Sequence, residues 1–243
     1  MLRINLFPLI GLISLAVAMW GAGEHRAAIR SEEVLMVEDF ESVRENALPE
    51  GWVYLARRGG DRVPPEHVMN AREKFYVVQE NGNNVLRAYT EGESQRISLV
   101  NREDGFNWDL RTHPHLAWDW RALQLPEGAN EEEINDTGAA FYVTFGKDWL
   151  GRPRSIKYTY SSSLPVGTVV SFGVLKVIVV ASGADGLGDW VRIERDVVAD
   201  YRRVFRRDPP DHPRFITLWS DSDDTKSIAE VDFDNIRLLP LDE

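Results

Sequence analysis

The chain contains no cysteine. That absence excludes disulfide scaffolding, thiol catalysis, thiolate zinc or iron–sulfur sites and thiol-linked lipidation. Positive charge is also scarce: 28 Lys and Arg stand against 39 Asp and Glu, a net −11 with a pI near 5. With no basic surplus to displace counterions, nucleic acid is excluded as a general partner. Long apolar runs are missing too, apart from Leu6–Trp20, whose length of about 15 residues falls short of the roughly 20 that span a bilayer as a helix. H-E-x-x-H, G-x-S-x-G, the P-loop and G-x-G-x-x-G are all absent, and there is no internal repeat.

What is present begins with an address. Arg3 precedes the apolar run, and Ala16-Val17-Ala18 or Gly21-Ala22-Gly23 supplies the small residues of a signal-peptidase site. Residues 1–23 are therefore expected to be a cleaved signal peptide. The mature protein is then exported, periplasmic or secreted, and not integral to a membrane. No cysteine follows the run, so a lipoprotein anchor is excluded. A chain of this length buries about 70–75% of its unfolded surface and can stand on its core without disulfides.

The remainder reads as strands. Runs rich in β-branched and aromatic residues recur between Gly, Pro, Asn and Asp at 34–40, 51–57, 74–79, 84–90, 95–100, 116–124, 139–145, 155–161, 168–181, 189–194, 214–220 and 228–238. The 168–181 run is long enough for two strands with Gly173 at the bend. Helical spacing is convincing only in 196–206, where Val197, Val198, Tyr201, Val204 and Phe205 fall on one stripe. Asp196 in its first turn and Arg202, Arg203 and Arg206 in its last suit the helix dipole, and Pro209-Pro210 stops it. About a dozen strands with one helix predict an all-β, two-sheet, jelly-roll-like sandwich forming a single domain over 34–240. The loops Arg57–Lys74 and the acidic Pro126–Gly138 are too short to be linkers.

Strand phase sorts the aromatics. Trp118 and Trp120 share a face with Leu116 and Ala122, and Tyr158 and Tyr160 share one with Ile156. All four read first as core, while Trp118, Trp120 and Tyr158 stay among the ligand-contacting candidates. In 190–194 the apolar Val191 and Ile193 look inward, leaving Trp190, Arg192 and Glu194 together on the other face. A ring that stacks on a pyranose beside a charged pair that bonds hydroxyls is a sugar-contacting set.

Carboxylates gather in Asp221-Ser222-Asp223-Asp224, where alternating acids in a tight loop offer several oxygens to a hard cation such as calcium. The run lacks the Gly and closing Glu of an EF-hand loop, and a solvated turn is the alternative. His113-Pro114-His115 has no nearby acidic third ligand and reads as a stiffened loop. In the last strand Val231 and Phe233 have one parity and Ile236 and Leu238 the other, which predicts a bulge at Asp234-Asn235.

Two resemblances follow from these residues. Asp39-Phe40-Glu41, then Gly51-Trp52, with Asp234-Asn235 in the last strand, resemble carbohydrate-binding β-sandwich modules. That resemblance implies neighbouring first and last strands sharing a structural calcium, with Glu41 and Asp234 as ligands. From about Phe40 to Leu238 the chain is similar to the bacterial exported family called domain of unknown function 3047. The matching pieces are Trp118-Asp119-Trp120-Arg121, Tyr158-Thr159-Tyr160, Trp190-Val191-Arg192-Ile193-Glu194-Arg195, Asp200-Tyr201-Arg202-Arg203-Val204-Phe205 and Asp221-Ser222-Asp223-Asp224-Thr225. Tyr160 replaces an expected Trp, Asp224 an expected Asn, and Ala140 or its neighbour an expected Arg. The family implies an exported β-sandwich and no established activity.

The functional expectation is a non-catalytic module that binds a glycan or cell-envelope polymer, with calcium as structural cofactor. The first alternative is a glycan-active enzyme, a glycoside hydrolase or polysaccharide lyase, on the same fold. Hydrolysis needs two carboxylates across a cleft, and the pair to test is Glu194 with Asp221 or Asp136; a lyase needs a base, for which Tyr158 is nearest. An envelope scaffold is the second alternative.

Overall fold

The computed structural model describes residues 33–55 and 62–241. The expected signal peptide and residues 56–61 of the first long loop lie outside them. In chain order the strands are β1 (Leu35–Glu38), β2 (Trp52–Leu55), β3 (Arg62–Val63), β4 (Glu73–Glu80), β5 (Asn83–Glu91), β6 (Ser94–Val100) and β7 (His115–Gln124). There follow β8 (Thr137–Lys147), β9 (Pro153–Ser161), β10 (Val169–Phe172), β11 (Leu175–Ser182), β12 (Val191–Asp196), the helix α1 (Val197–Phe205), β13 (Phe215–Asp221) and β14 (Ile228–Leu239).

They form two sheets packed as a sandwich. The six-stranded sheet runs β12-β7-β14-β5-β4, and β1 pairs with the far half of β14. The eight-stranded sheet runs β10-β11-β9-β8-β13-β6-β2-β3. Pairing is antiparallel except for β9 beside β11. The single 168–181 run is divided as its length and glycine predict: β10 and β11 form a hairpin in which Gly173 adopts φ +62.

Alternation builds the core. Trp118 and Trp120 from β7 and Phe233 from β14 meet Phe141 from β8 and Tyr158 and Tyr160 from β9, all essentially buried. Trp118 stacks on Phe141 with centroids 4.7 Å apart and stands edge-to-face to Trp120 at 5.3 Å. Burying one such ring contributes roughly 1.5–3 kcal/mol, and tilted and edge-on contacts add to it. These neighbours correct one expectation. Trp118, Trp120 and Tyr158 are filled in between the sheets and have no surface to give a ligand.

Helix α1 closes one end of the sandwich. The Asp196 carboxylate caps it by accepting from the Ala199 N–H at 2.8 Å, and Arg206 ends it in the left-handed region. Its Tyr201 packs on Phe145 of β8 at 4.5 Å, so the apolar stripe serves to seal the core. The expected irregularity in the last strand is present as well. The ladder to β7 shifts register between Asp234 and Arg237, and Asn235 has φ +51. Among the described residues no helix is long and apolar enough to cross a membrane.

Candidate functional site

The outer face of the eight-stranded sheet collects the side chains with the parity opposite to the core. On β13 the core residues Ile216 and Leu218 alternate with Thr217, Trp219 and Asp221. On β8 Phe141 and Val143 point inward and Tyr142 outward, and on β9 Lys157 and Thr159 oppose Ile156, Tyr158 and Tyr160. Register aligns them: Trp219 is flanked by Arg96 on β6 and the small Ala140 on β8, and Tyr142 by Lys157 and Thr217.

The resulting platform is aromatic and cationic. The Tyr142 and Trp219 rings are 5.5 Å apart and 35° from parallel, and both are half-buried. The Arg96 guanidinium lies 4.7 Å from the Trp219 ring and 5.0 Å from that of Tyr54, and donates to the Leu55 carbonyl at 3.0 Å. The Trp219 indole N–H is buried with no hydrogen-bond partner among the described residues.

Beside this platform lies a buried charged cluster. The Pro126–Gly138 loop turns Glu131 onto the sheet, where its carboxylate accepts from Thr159 Oγ1 at 2.9 Å and Ser161 Oγ at 2.5 Å. Lys157 is buried and donates from Nζ to the Asn135 carbonyl and Oδ1 at 3.3 and 3.0 Å. Asp136 accepts from the Thr225 N–H and hydroxyl, both at 2.7 Å, and from the Asp224 N–H at 3.2 Å. Three carboxylates, from Asp136, Asp221 and Asp223, each bring an oxygen within 4.8 Å of the other two.

Electrostatics follow from this packing. Burial pushes Asp221 up to about 7, and the neighbouring Asp223 and Asp136 push the same way. Burial also brings Lys157 down to about 8, against the pull of Glu131, Asp221 and Asp136. Opposite oxygens around a calcium ion, at 2.3–2.6 Å each, are about 4.8 Å apart, so this trio has the spacing and the hard-oxygen chemistry of a divalent-cation site. Such an ion would offset the repulsion that now raises Asp221.

The structure redistributes the expected site residues. Asp221 and Asp223 belong to the trio, joined by Asp136. Asp224 is exposed and meets Asp136 through its backbone N–H alone. Glu41 and Asp234 reach neighbouring residues, accepting from the Asn84 N–H at 3.2 Å and from Asn83 Nδ2 at 3.0 Å. The described residues hold one three-carboxylate group, and these two are not in it.

Trp190, Arg192 and Glu194 do share the outer face of the six-stranded sheet, with Ile193 buried behind them. Trp190 is 42% exposed, and its ring lies 4.9 Å from the Arg121 guanidinium. Arg192 is bound to Asp119 at 2.9 Å, and Glu194 faces His115 at 3.7 Å. This placement corrects the catalytic pairing: Glu194 and the Asp136–Asp221 pair lie on opposite outer faces, with both sheets between them. They cannot flank one glycosidic bond. Tyr158 fails as a base because burial raises its hydroxyl well above the ordinary tyrosine value, the wrong direction for proton abstraction.

Tyr54, Arg96, Tyr142, Trp219, Lys157 and Glu131 were not among the expected site residues. For Tyr142 and Trp219 the signal was available, since each is out of phase with the apolar residues of its own strand. Glu131 carried none, being one of three consecutive glutamates of which the fold buries one.

The family model described as Protein of unknown function (DUF3047) matches residues 64–237. No curated protein matches the chain. Among solved structures it is similar to a family 11 carbohydrate-binding module of a Clostridium thermocellum cellulosomal cellulase. Identity there is 15%, the coverage 88% of this chain and 98% of that one, and the TM-score 0.45. It is also similar to a Caldicellulosiruptor saccharolyticus family 27 module in complex with mannohexaose, at 11% identity, 88% and 100% coverage and TM-score 0.43. A Clostridium thermocellum family 30 module is similar at 14% identity, 70% and 84% coverage and TM-score 0.40. These likenesses are of architecture alone.

Proposed function

The chain belongs to the DUF3047 family, and from that footing we propose that it is an exported, periplasmic or secreted, non-catalytic module that binds a glycan or cell-envelope polymer. The binding surface in this reading is the outer face of the eight-stranded sheet. The observation that carries it is the half-buried Tyr142–Trp219 pair, with Arg96 between Trp219 and Tyr54. Sugar rings present apolar C–H faces to aromatics and hydroxyls to charged groups, and this surface offers both within one sheet face. Export rests on the apolar N-terminal run with its small-residue sites.

Binding should be measured on an array of bacterial-envelope and plant polysaccharides. Trp219→Ala should weaken binding by about tenfold or more, the equivalent of ~1.4 kcal/mol, while Trp190→Ala leaves it unchanged. Loss in Trp190→Ala alone moves the site to the other sheet, and no binding by the intact protein ends the reading.

Calcium is proposed at Asp136, Asp221 and Asp223; the support is their mutual spacing and the charge repulsion that an ion would relieve. Chelator-stripped protein should melt at a higher temperature in calcium, because the native state gains about 2.7 kcal/mol at a hundredfold excess over Kd. Asp136→Asn should remove that gain, and Asp234→Asn should keep it. A flat melting temperature in the stripped protein rejects the ion.

One observation favours a glycan-active enzyme as the second reading. Asp221, held near 7 beside Asp136, has the protonation of a general acid at neutral pH. New reducing ends from pooled polysaccharides, lost in Asp221→Asn, would decide for it.

A further inference from the structure

The protein is acidic overall, yet one end of it is basic and apolar together. The β8–β9 hairpin tip exposes Trp149 by 88% and Leu150 by 54%, and the β10–β11 tip exposes Phe172 by 44%. Exposed large apolar side chains gathered on neighbouring turns mark an interaction site in a soluble fold. The two tips are adjacent because β9 and β11 run parallel in register, Ser155 opposite Leu175, so the turns that precede them lie side by side. The Arg152 guanidinium is 3.9 Å from the position a Cβ would take on Gly173.

The surrounding charge is positive. Lys147, Lys176 and the half-buried Arg154 flank the tips, Arg152 is paired with Asp148 within one of them, and Arg206 follows at the end of α1. Arg154 and Lys176 both approach the Phe205 ring at 5.9 Å, which places the helix end against the hairpins. The acids nearby are engaged: Asp200 by Arg195 and Arg203, Asp208 by Arg202. Asp148 is spent inside its own turn. Its carboxylate accepts from the N–H groups of Leu150 at 3.0 Å and Arg152 at 2.8 Å and from Arg152 Nε at 2.7 Å, and its side chain is nearly buried. Those bonds fix the turn, with Gly151 at φ +78, so that Trp149 is presented outward on a stiff support.

We propose that this end of the sandwich docks on an anionic lipid surface, with Trp149, Leu150 and Phe172 entering the headgroup region and the basic residues facing the lipid charges. Tryptophan favours that interface because its ring is apolar and its N–H polar. Each nearby basic side chain adds about 1 kcal/mol of attraction to an anionic leaflet. A module facing away from this end keeps the platform on its sheet face free.

The absence of cysteine makes a site-specific test possible on the full chain. Leu150→Cys carries a polarity-sensitive fluorophore, and Glu127→Cys, at the opposite end of the sheet, carries the same label as control. Mixed phosphatidylcholine–phosphatidylglycerol vesicles should blue-shift the label at 150 and leave that at 127 unchanged, while phosphatidylcholine vesicles alone shift neither. Lys147→Gln and Lys176→Gln should each lower the partitioning of the 150-labelled chain about fivefold, and high salt should weaken it further. Trp149→Ala should lower it as well. A silent label at 150, an equal shift on neutral vesicles, or a shift of both labels overturns the proposal. A label already shielded before vesicles are added also overturns it, by assigning the patch to the chain's own N-terminal run.

Discussion

Asn235 sits in the middle of a strand with φ +51, and its Nδ2 donates to Asp119 at 3.1 Å. The left-handed conformation costs a branched side chain about 1–2 kcal/mol, so Asn235→Val should lose more stability than Asn235→Gly by about that difference. Urea unfolding monitored by tryptophan fluorescence measures it. Trp118 defines the opposite kind of residue, wedged against Trp120, Phe141 and Tyr158. Trp118→Ala should cost roughly 3–5 kcal/mol, whereas Trp190→Ala, on the surface, should leave the unfolding midpoint nearly unchanged. Period-two alternation separates these two tryptophans in the sequence, because the inward side of each strand is apolar. Which outward aromatics come together is another matter. Tyr142 and Trp219 are 77 positions apart, and they meet only because β8 and β13 are neighbours, a pairing no local pattern encodes.

Among the elements, the 196–206 segment was legible from its stripe and terminal arginines, while Asp196, expected inside the first turn, stands just before it as the cap. Asp196→Ala should cost about 1 kcal/mol, read as a lower melting temperature. The six-stranded sheet carries on its outer face a network in which buried Asp232 holds both Arg87 and Arg121, and Glu80 receives Arg121 at 2.7 Å. The Arg121 hydrogen bond lowers Glu80 below its ordinary 4.5. A lowered carboxylate contributes stability above its unfolded value, and that contribution is lost as pH falls through the folded one. Glu80→Gln should therefore show a smaller drop in melting temperature between pH 5 and pH 3 than the parent. Glu80 is partly exposed, so the difference should stay below about 1 kcal/mol. The arginines and acids of this network alternate along β5, β7 and β14 and are visible in sequence, but their partners are set by register.

For the molecule as a whole, the two-sheet sandwich could be read from strand spacing, since every strand must bury one side. The assignment of acids to faces could not. Glu194 and Asp221 look alike in sequence, each ending an alternating run, yet the two strands belong to different sheets and turn their outer sides in opposite directions. The fold also separates its surfaces by chemistry: an aromatic and carboxylate-rich face, an arginine–carboxylate face, and a basic apolar end. Three different surfaces on one core allow mutations at one to be tested without disturbing the others.

The pairing of β1 with β14 sets how the fold answers a pull. Leu35 lies opposite Leu238, so the two flanks of the domain leave from the same spot and in the same direction. Tension applied through them opens the Leu35–Leu238, Met36–Arg237 and Glu38–Ile236 contacts one after another, as a zipper, instead of shearing them together. Single-molecule stretching from these two flanks should give a low rupture force, well below that from a handle pair at Leu35 and Ser227, which sit at opposite ends of β14 and load the β1–β14 contacts together in shear.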